Sequence, residues 1–291
     1  MKLKVKLILA IILIAILVLI YINSFKTSYY KNNLIYYPEN RPKLQFTRIL
    51  IEDNENYSKE KITFESKNAK IYGYLFLPKK KEKVPGIIFL PAAQATKEGA
   101  QTESKVFLRE GFAALTIDQR GVGETNGNIT LSQDDFNNFK ENKESFQSLM
   151  VYDTLRSFDL LSQIPQVDNK KIIMSGSSMG GRTAIIASAL DKNIHGALII
   201  SSSGYDIPKQ NDEKLNSFLY SINPNNYISL IQPRKIIMIH SQYDKVIPLQ
   251  LAEFTYSLAK DPKDLFILNT CNHGYCDEMN SYIDKALNDL I

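Results

Sequence analysis

IIMSGSSMGG, residues 172–181, is the stretch that decides how this chain is read. Three apolar residues suit a buried strand. A turn follows, with Gly176 and Gly180 two residues before and after Ser178, and then TAIIASAL (183–190) reads as a small, apolar helix able to pack close to a sheet. A strand that reverses sharply into a helix crowds the backbone around the serine, where a Cβ at either glycine would clash. The serine is thereby held in a strained conformation with its hydroxyl pointing out of the turn. The free N–H groups of the helix start face any negative charge that develops there. Ser178 is therefore a candidate nucleophile.

Outward from this turn, apolar runs and helical patterns alternate. Residues 61–64 and 69–77 read as two early strands. GIIFL (86–90) and FAALTI (112–117) are short continuous apolar runs, expected of strands covered on both faces. Val151, Leu155, Phe158, Leu161 and Ile164 fall near helical spacing, with Asp153 as an expected cap and Pro165 as the stop. GALIIS (196–201), KIIMIH (235–240) and DLFILN (264–269) complete the strand set. The pattern predicts an α/β fold with a mostly parallel sheet and helices on both faces. Residues 128–148 and 206–226 are polar excursions, the first an expected insertion over the site and the second an expected small lid. No internal repeat is present.

A serine hydroxyl needs a base, and the base an orienting acid. The three histidines are His195, His240 and His273. His195 falls in a connection before a strand and reads as a surface residue. His240 ends a strand and reads as a packed structural histidine. His273 follows the last expected strand, at the same sheet edge as Ser178, where ligands of open α/β sheets bind. It is the expected general base. Asp244 follows the 235–240 strand and is the expected acid, with Asp206 as the alternative.

These landmarks together resemble the α/β-hydrolase superfamily, closest to dienelactone-hydrolase-like and prolyl-oligopeptidase-like serine hydrolases. The resemblance runs from about residue 60 to the C-terminus. It rests on PGIIFLPAAQATKE (85–98), DQRGVGET (118–125), GSSMGG (176–181), HSQYDKVIP (240–248) and NHG (272–274), in that order. It implies a triad of Ser178, Asp244 and His273, an acyl-enzyme, and no metal or organic cofactor. It also implies an oxyanion hole from the backbone N–H groups of Met179 and Ala93. One departure stands out: Pro91 and Ala92 occupy positions where such chains usually carry His-Gly, and proline fixes φ. The DQRGVGET turn is structural in such chains, so Asp118 and Arg120 are not expected in catalysis. The expected substrate carries a carboxylic ester. A peptide, a thioester or acyl transfer, and a binding module without catalysis, are the alternatives.

The first residues are a separate object. Leu7 to Ile22 is an unbroken apolar run of sixteen residues, preceded by Lys2, Lys4 and Lys6. As a helix it spans roughly 24 Å, extended if the lysines snorkel. Residues 1–24 are thus expected to be a membrane anchor, or alternatively a cleaved signal peptide. The lysines precede the span, which puts the remainder outside the cytoplasm. Residues 25–58 are expected as stalk and lead-in, and 59–291 as the hydrolase domain. The formal net charge of +4 is concentrated in this N-terminal segment, so no nucleic-acid footprint exists. Cys271 and Cys276 flank His273; they are expected either to pair in an oxidising compartment or to stay as separate thiols, and their spacing does not suit zinc.

Overall fold

The computed structural model describes residues 29–127 and 132–291. The expected anchor lies outside the described residues, and none of the described helices is long and apolar enough to cross a membrane.

Eleven strands and seven α-helices are described. The strands are β1 (Tyr30–Lys31), β2 (Leu34–Ile35), β3 (Phe46–Asp53), β4 (Tyr57–Ser66), β5 (Ala69–Pro78), β6 (Val84–Leu90), β7 (Ala113–Ile117), β8 (Val167–Ser177), β9 (Gly196–Ile200), β10 (Ile236–Ser241) and β11 (Lys263–Leu268). The helices are α1 (Gln101–Arg109), α2 (Ser132–Lys140), α3 (Phe146–Ser162), α4 (Met179–Leu190), α5 (Glu213–Ile222), α6 (Leu249–Leu258) and α7 (Asn280–Leu290). Nine strands form one sheet in the order β11-β10-β9-β8-β6-β7-β5-β4-β3. From β7 to β11 every pairing is parallel, while β3, β4, β5 and β7 pair antiparallel.

The continuous apolar runs have a direct cause. Alternate residues of one strand serve two cores, because successive side chains point to opposite faces. Ile88 and Leu90 join Met174, Ile199 and Met238 under α3 and α4. Ile87 and Phe89 join Ile173, Ile200 and Ile239 under α1 and α7. Neither face is left to solvent, so no polar alternation survives in the sequence.

Two readings are corrected. Asp153 does not cap a helix. The helix starts earlier: Ser145 is its N-cap, its hydroxyl accepting from the Ser148 N–H, and Asp153 sits in the interior of α3. Its carboxylate is buried, 2.6 Å from Arg120 Nε and bonded by the Ser66 hydroxyl. Second, the described part of the expected stalk folds onto the domain. Ile35, Tyr37 and Leu44 are buried in the core with α3 and α4, and β3 pairs with β4 along its length. Tyr227, wholly buried, donates its hydroxyl to the Ser221 carbonyl and accepts from the Ile35 N–H, which fastens the β1–β2 hairpin to the body. The described parts of the two polar excursions meet each other. α2 and α5 pack on each other through Phe136, Phe139 and Phe218, with ring centroids 5.6–5.9 Å apart.

Candidate active site

β8 ends in the Ser178 turn, as expected. Ser178 has φ 53° and ψ −117°, a backbone conformation costly for a side-chain-bearing residue. A Cβ on Gly176 would run into the Gly180 backbone, and one on Gly180 into the carbonyls of Leu90 and Pro91. These two glycines let α4 start hard against the ends of β6 and β8. The strain is held by backbone bonds: the Ser178 N–H donates to the Ile200 carbonyl at 3.1 Å, and the Ser178 carbonyl accepts from the Ser202 hydroxyl at 2.7 Å. Ser178 is the N-cap residue of α4 yet makes no capping bond, and its half-buried hydroxyl has no hydrogen-bond partner among the described residues.

The loops after β10 and β11 carry the other two candidate residues. Asp244 follows β10 in a tight turn and is buried. One carboxylate oxygen accepts from the N–H groups of Val246 and Ile247 at 2.9 and 2.8 Å. The other lies 2.8 Å from His273 Nδ1. A carboxylate facing Nδ1 holds the proton there and leaves Nε2 as the acceptor. The His273 loop turns through Gly274 at φ +89°, and Cys271 and Cys276 are joined by a disulfide with Cα atoms 6.2 Å apart. No hydrogen bond joins Ser178 Oγ to the His273 ring in this arrangement. Such contacts are commonly loose without substrate and tighten when it binds.

The other candidates fall elsewhere. His240 is fully buried behind Asp244, its Nε2 2.9 Å from the Ile247 carbonyl; burial pulls its pKa down and keeps it neutral. It is the packed histidine expected. Asp206 is exposed and bonds to none of the histidines. His195 is half-buried rather than a free surface residue, and lines a cavity of about 890 Å³ at the amino edge of the parallel strands, away from the Ser178 edge.

The 91–98 loop reaches the nucleophile turn, as Gly180 against Leu90 and Pro91 shows. Gln119, to which the sequence reading gave no role of its own, donates its side-chain amide to the Pro91 carbonyl at 2.5 Å. The loop is fixed further along by Lys97, fully buried, which meets Asp118, Glu98 and Glu124 at 2.8–2.9 Å. Asp118 also accepts from the N–H groups of Lys97 and Glu124. This is the structural role expected of the DQRGVGET turn. The N–H groups of Met179 and Ala93 have no acceptor among the described residues, and Ala93 lies in an exposed part of the loop. Among the described residues one cluster has metal-ligand spacing, Cys271, Cys276 and Glu278, and its two sulfurs are bonded to each other.

The model of the acetyl xylan esterase family matches residues 27–202. The chain belongs to that family. The match takes in the folded lead-in and the Ser178 turn, and ends before Asp244 and His273. Among curated proteins the chain is 25% identical over 192 residues to the uncharacterized protein YfhR of Escherichia coli strain K12, covering 61% of this chain and 62% of that protein. It is 23% identical over 236 residues to the acetyl esterase Axe7A of Xylanibacter ruminicola, covering 72% and 54%. The chain thus spans under two thirds of the length of the curated relatives it matches. Among solved structures, an acetyl xylan esterase from Paenibacillus sp. R4 superposes with a TM-score of 0.74 at 19% identity, covering 87% of this chain and 91% of that one. Acetyl xylan esterase 1 from Thermoanaerobacterium sp. JW/SL YS485 superposes with a TM-score of 0.71 at 17% identity, over 86% and 88%. This family member has the α/β-hydrolase fold.

Proposed function

We propose that this acetyl xylan esterase family member is a serine carboxylesterase that removes small acyl groups, acetyl among them, from hydroxyl-bearing substrates. The observation that carries the reading is the bond of 2.8 Å from His273 to a buried, N–H-anchored Asp244, at the sheet edge that presents Ser178. Ser178 Oγ attacks the ester carbonyl as His273 Nε2 takes its proton. Asp244 fixes the ring and stabilises its cation. The N–H groups of Met179 and Ala93 receive the oxyanion, and each such donor is worth about 3 kcal/mol in the transition state. The intermediate collapses, His273 returns the proton to the departing alcohol, and an acyl-enzyme remains. Water, deprotonated by His273, then releases the acid. None of these steps calls for a metal or an organic cofactor.

Residues 1–24 anchor the enzyme, with the domain outside the cytoplasm. The apolar run after Lys2, Lys4 and Lys6 supports this, and a disulfide beside His273 suits an oxidising compartment. The first test is labelling of the full-length chain by a fluorophosphonate. The wild type is expected to label, Ser178→Ala to lose labelling entirely, and His273→Ala to label slower by on the order of 10³-fold or more. Labelling or ester hydrolysis that survives Ser178→Ala removes the assignment.

A further inference from the structure

Arg182 is the fourth residue of α4, and its N–H donates to the Ser178 carbonyl at 3.1 Å, one helical turn above the nucleophile. Side chains on a helix lean toward its N-terminus, so this one leans back toward the Ser178 edge of the sheet. Its Nε donates to the Ser203 carbonyl at 3.0 Å, and its guanidinium lies 4.1 Å from the centroid of the Tyr205 ring. Tyr205 is itself clamped. Its N–H donates to the Asn223 side chain, which donates back to its carbonyl, at 3.0 and 2.9 Å. The neighbouring Gly204 N–H bonds the Thr255 hydroxyl at 2.8 Å. The guanidinium plane is therefore held in place without substrate.

That cation has no carboxylate. Arg41, Arg48, Arg120 and Arg156 each meet an aspartate or glutamate within 2.8 Å. Arg182 meets none among the described residues, and its two terminal nitrogens make no hydrogen bond there. Its place also costs energy. The first turn of a helix carries partial positive charge, which favours acids and disfavours cations. α4 has no acidic residue in that turn to offset it. An unpaired, oriented guanidinium at a positive helix end is an anion site in waiting, and its paired nitrogens match a carboxylate edge. The supporting loop is continuous with the triad. The Ser202 hydroxyl bonds the Ser178 carbonyl, and the Ser201 hydroxyl bonds the Gly274 carbonyl at 3.1 Å, next to His273.

We propose that Arg182, stacked on Tyr205, is a subsite for a carboxylate carried by the ester substrate, so that the enzyme prefers acidic esters. This rests on the esterase reading given above. The carboxylate sits either on the acyl group or on the alcohol, and substrate pairs separate the two. On the acyl side, the p-nitrophenyl monoester of succinate is compared with p-nitrophenyl butyrate. On the alcohol side, 4-acetoxybenzoate is compared with 4-acetoxybenzamide. The full-length wild type is expected to favour the charged member of one pair, with the preference shrinking as salt rises. Arg182→Gln is expected to cut kcat/KM for that charged ester about 10- to 100-fold, mainly through KM, and to leave the neutral one within about threefold. Arg182→Lys is expected to recover part of the loss. Equal losses on charged and neutral esters would make Arg182 a structural prop and overturn the subsite, as would a wild type with no preference in either pair. A wild type inert on all four esters would overturn the esterase reading itself, and the subsite with it.

Discussion

At the scale of single residues, the division of labour within Asp244 makes a sharp prediction. One oxygen is spent on the Val246 and Ile247 N–H groups and the other on His273 Nδ1. An asparagine in its place could still accept from the two backbone donors, so the turn should fold. The amide would face Nδ1 with a donor and turn the ring's proton to the wrong nitrogen. Asp244→Asn is expected to lower kcat by on the order of 10⁴-fold with little change in melting temperature, as read by ester hydrolysis and thermal unfolding of one preparation. The residues of the site that could be read from sequence share one property. Ser178, Asp244 and His273 each stand just past an apolar run, and each is marked by neighbours a few positions away. Gln119 stands inside the DQRGVGET stretch and Arg182 directly after GSSMGG, but nothing near either one says that it meets Pro91 or Tyr205. Their meaning comes from loops brought together across 28 and 23 positions of chain, and no local pattern encodes that contact.

At the scale of elements, α3 carries a buried acid in its apolar face. Burial pushes the Asp153 carboxyl up to about 6 from an ordinary 3.8, against the opposing pull of Arg120 and the Ser66 hydroxyl. The folded form therefore holds the proton more tightly than the unfolded one. Its contribution to stability is fully present below about pH 3.8 and is lost as pH rises through about 6. Glu98 works in the other direction and in another window. Burial would raise it, but hydrogen bonds from Lys97 and Tyr74 outweigh that and hold it at about 2, so its contribution fails only in stronger acid. Urea melts of the wild type are expected to contain a component that weakens between about pH 4 and 6, absent in Asp153→Asn. An unchanged pH profile in that variant would reject the account. The misread cap has the same origin. An aspartate eight positions into a helix looks like a start signal until Arg120, 33 positions upstream, is seen beside it. β3 escaped notice for a different reason. FTRILIED is exposed on both faces after its first residue, so it carries neither alternation nor a buried run.

At the scale of the whole molecule, the nine-stranded sheet ends unequally. β11 runs parallel to β10 and is half-buried, whereas β3 leaves Ile49, Leu50 and Ile51 about half exposed or more on an open edge. Its one interruption is a register shift between Leu50 and Glu52. Open apolar edges are templates for pairing with another chain, and natural proteins blunt them with charge. Leu50→Lys is expected to slow heat-induced aggregation, followed by light scattering, while ester hydrolysis stays at the wild-type rate. Faster aggregation, or lost activity, would mean that this edge is part of the working fold.

The strand order also sets a timetable. Ser178 stands near the middle of the sheet, between β6 and β9, but the base proposed for it, His273, arrives on the loop after β11, the last of the described strands to be synthesised. On that proposal, a growing chain holds a serine with nothing to activate it. Under the proposed triad, reactivity is switched on only when the outermost parallel strand docks and His273 meets Asp244. A chain cut short before that point is expected to be chemically silent, however much of its sheet has formed.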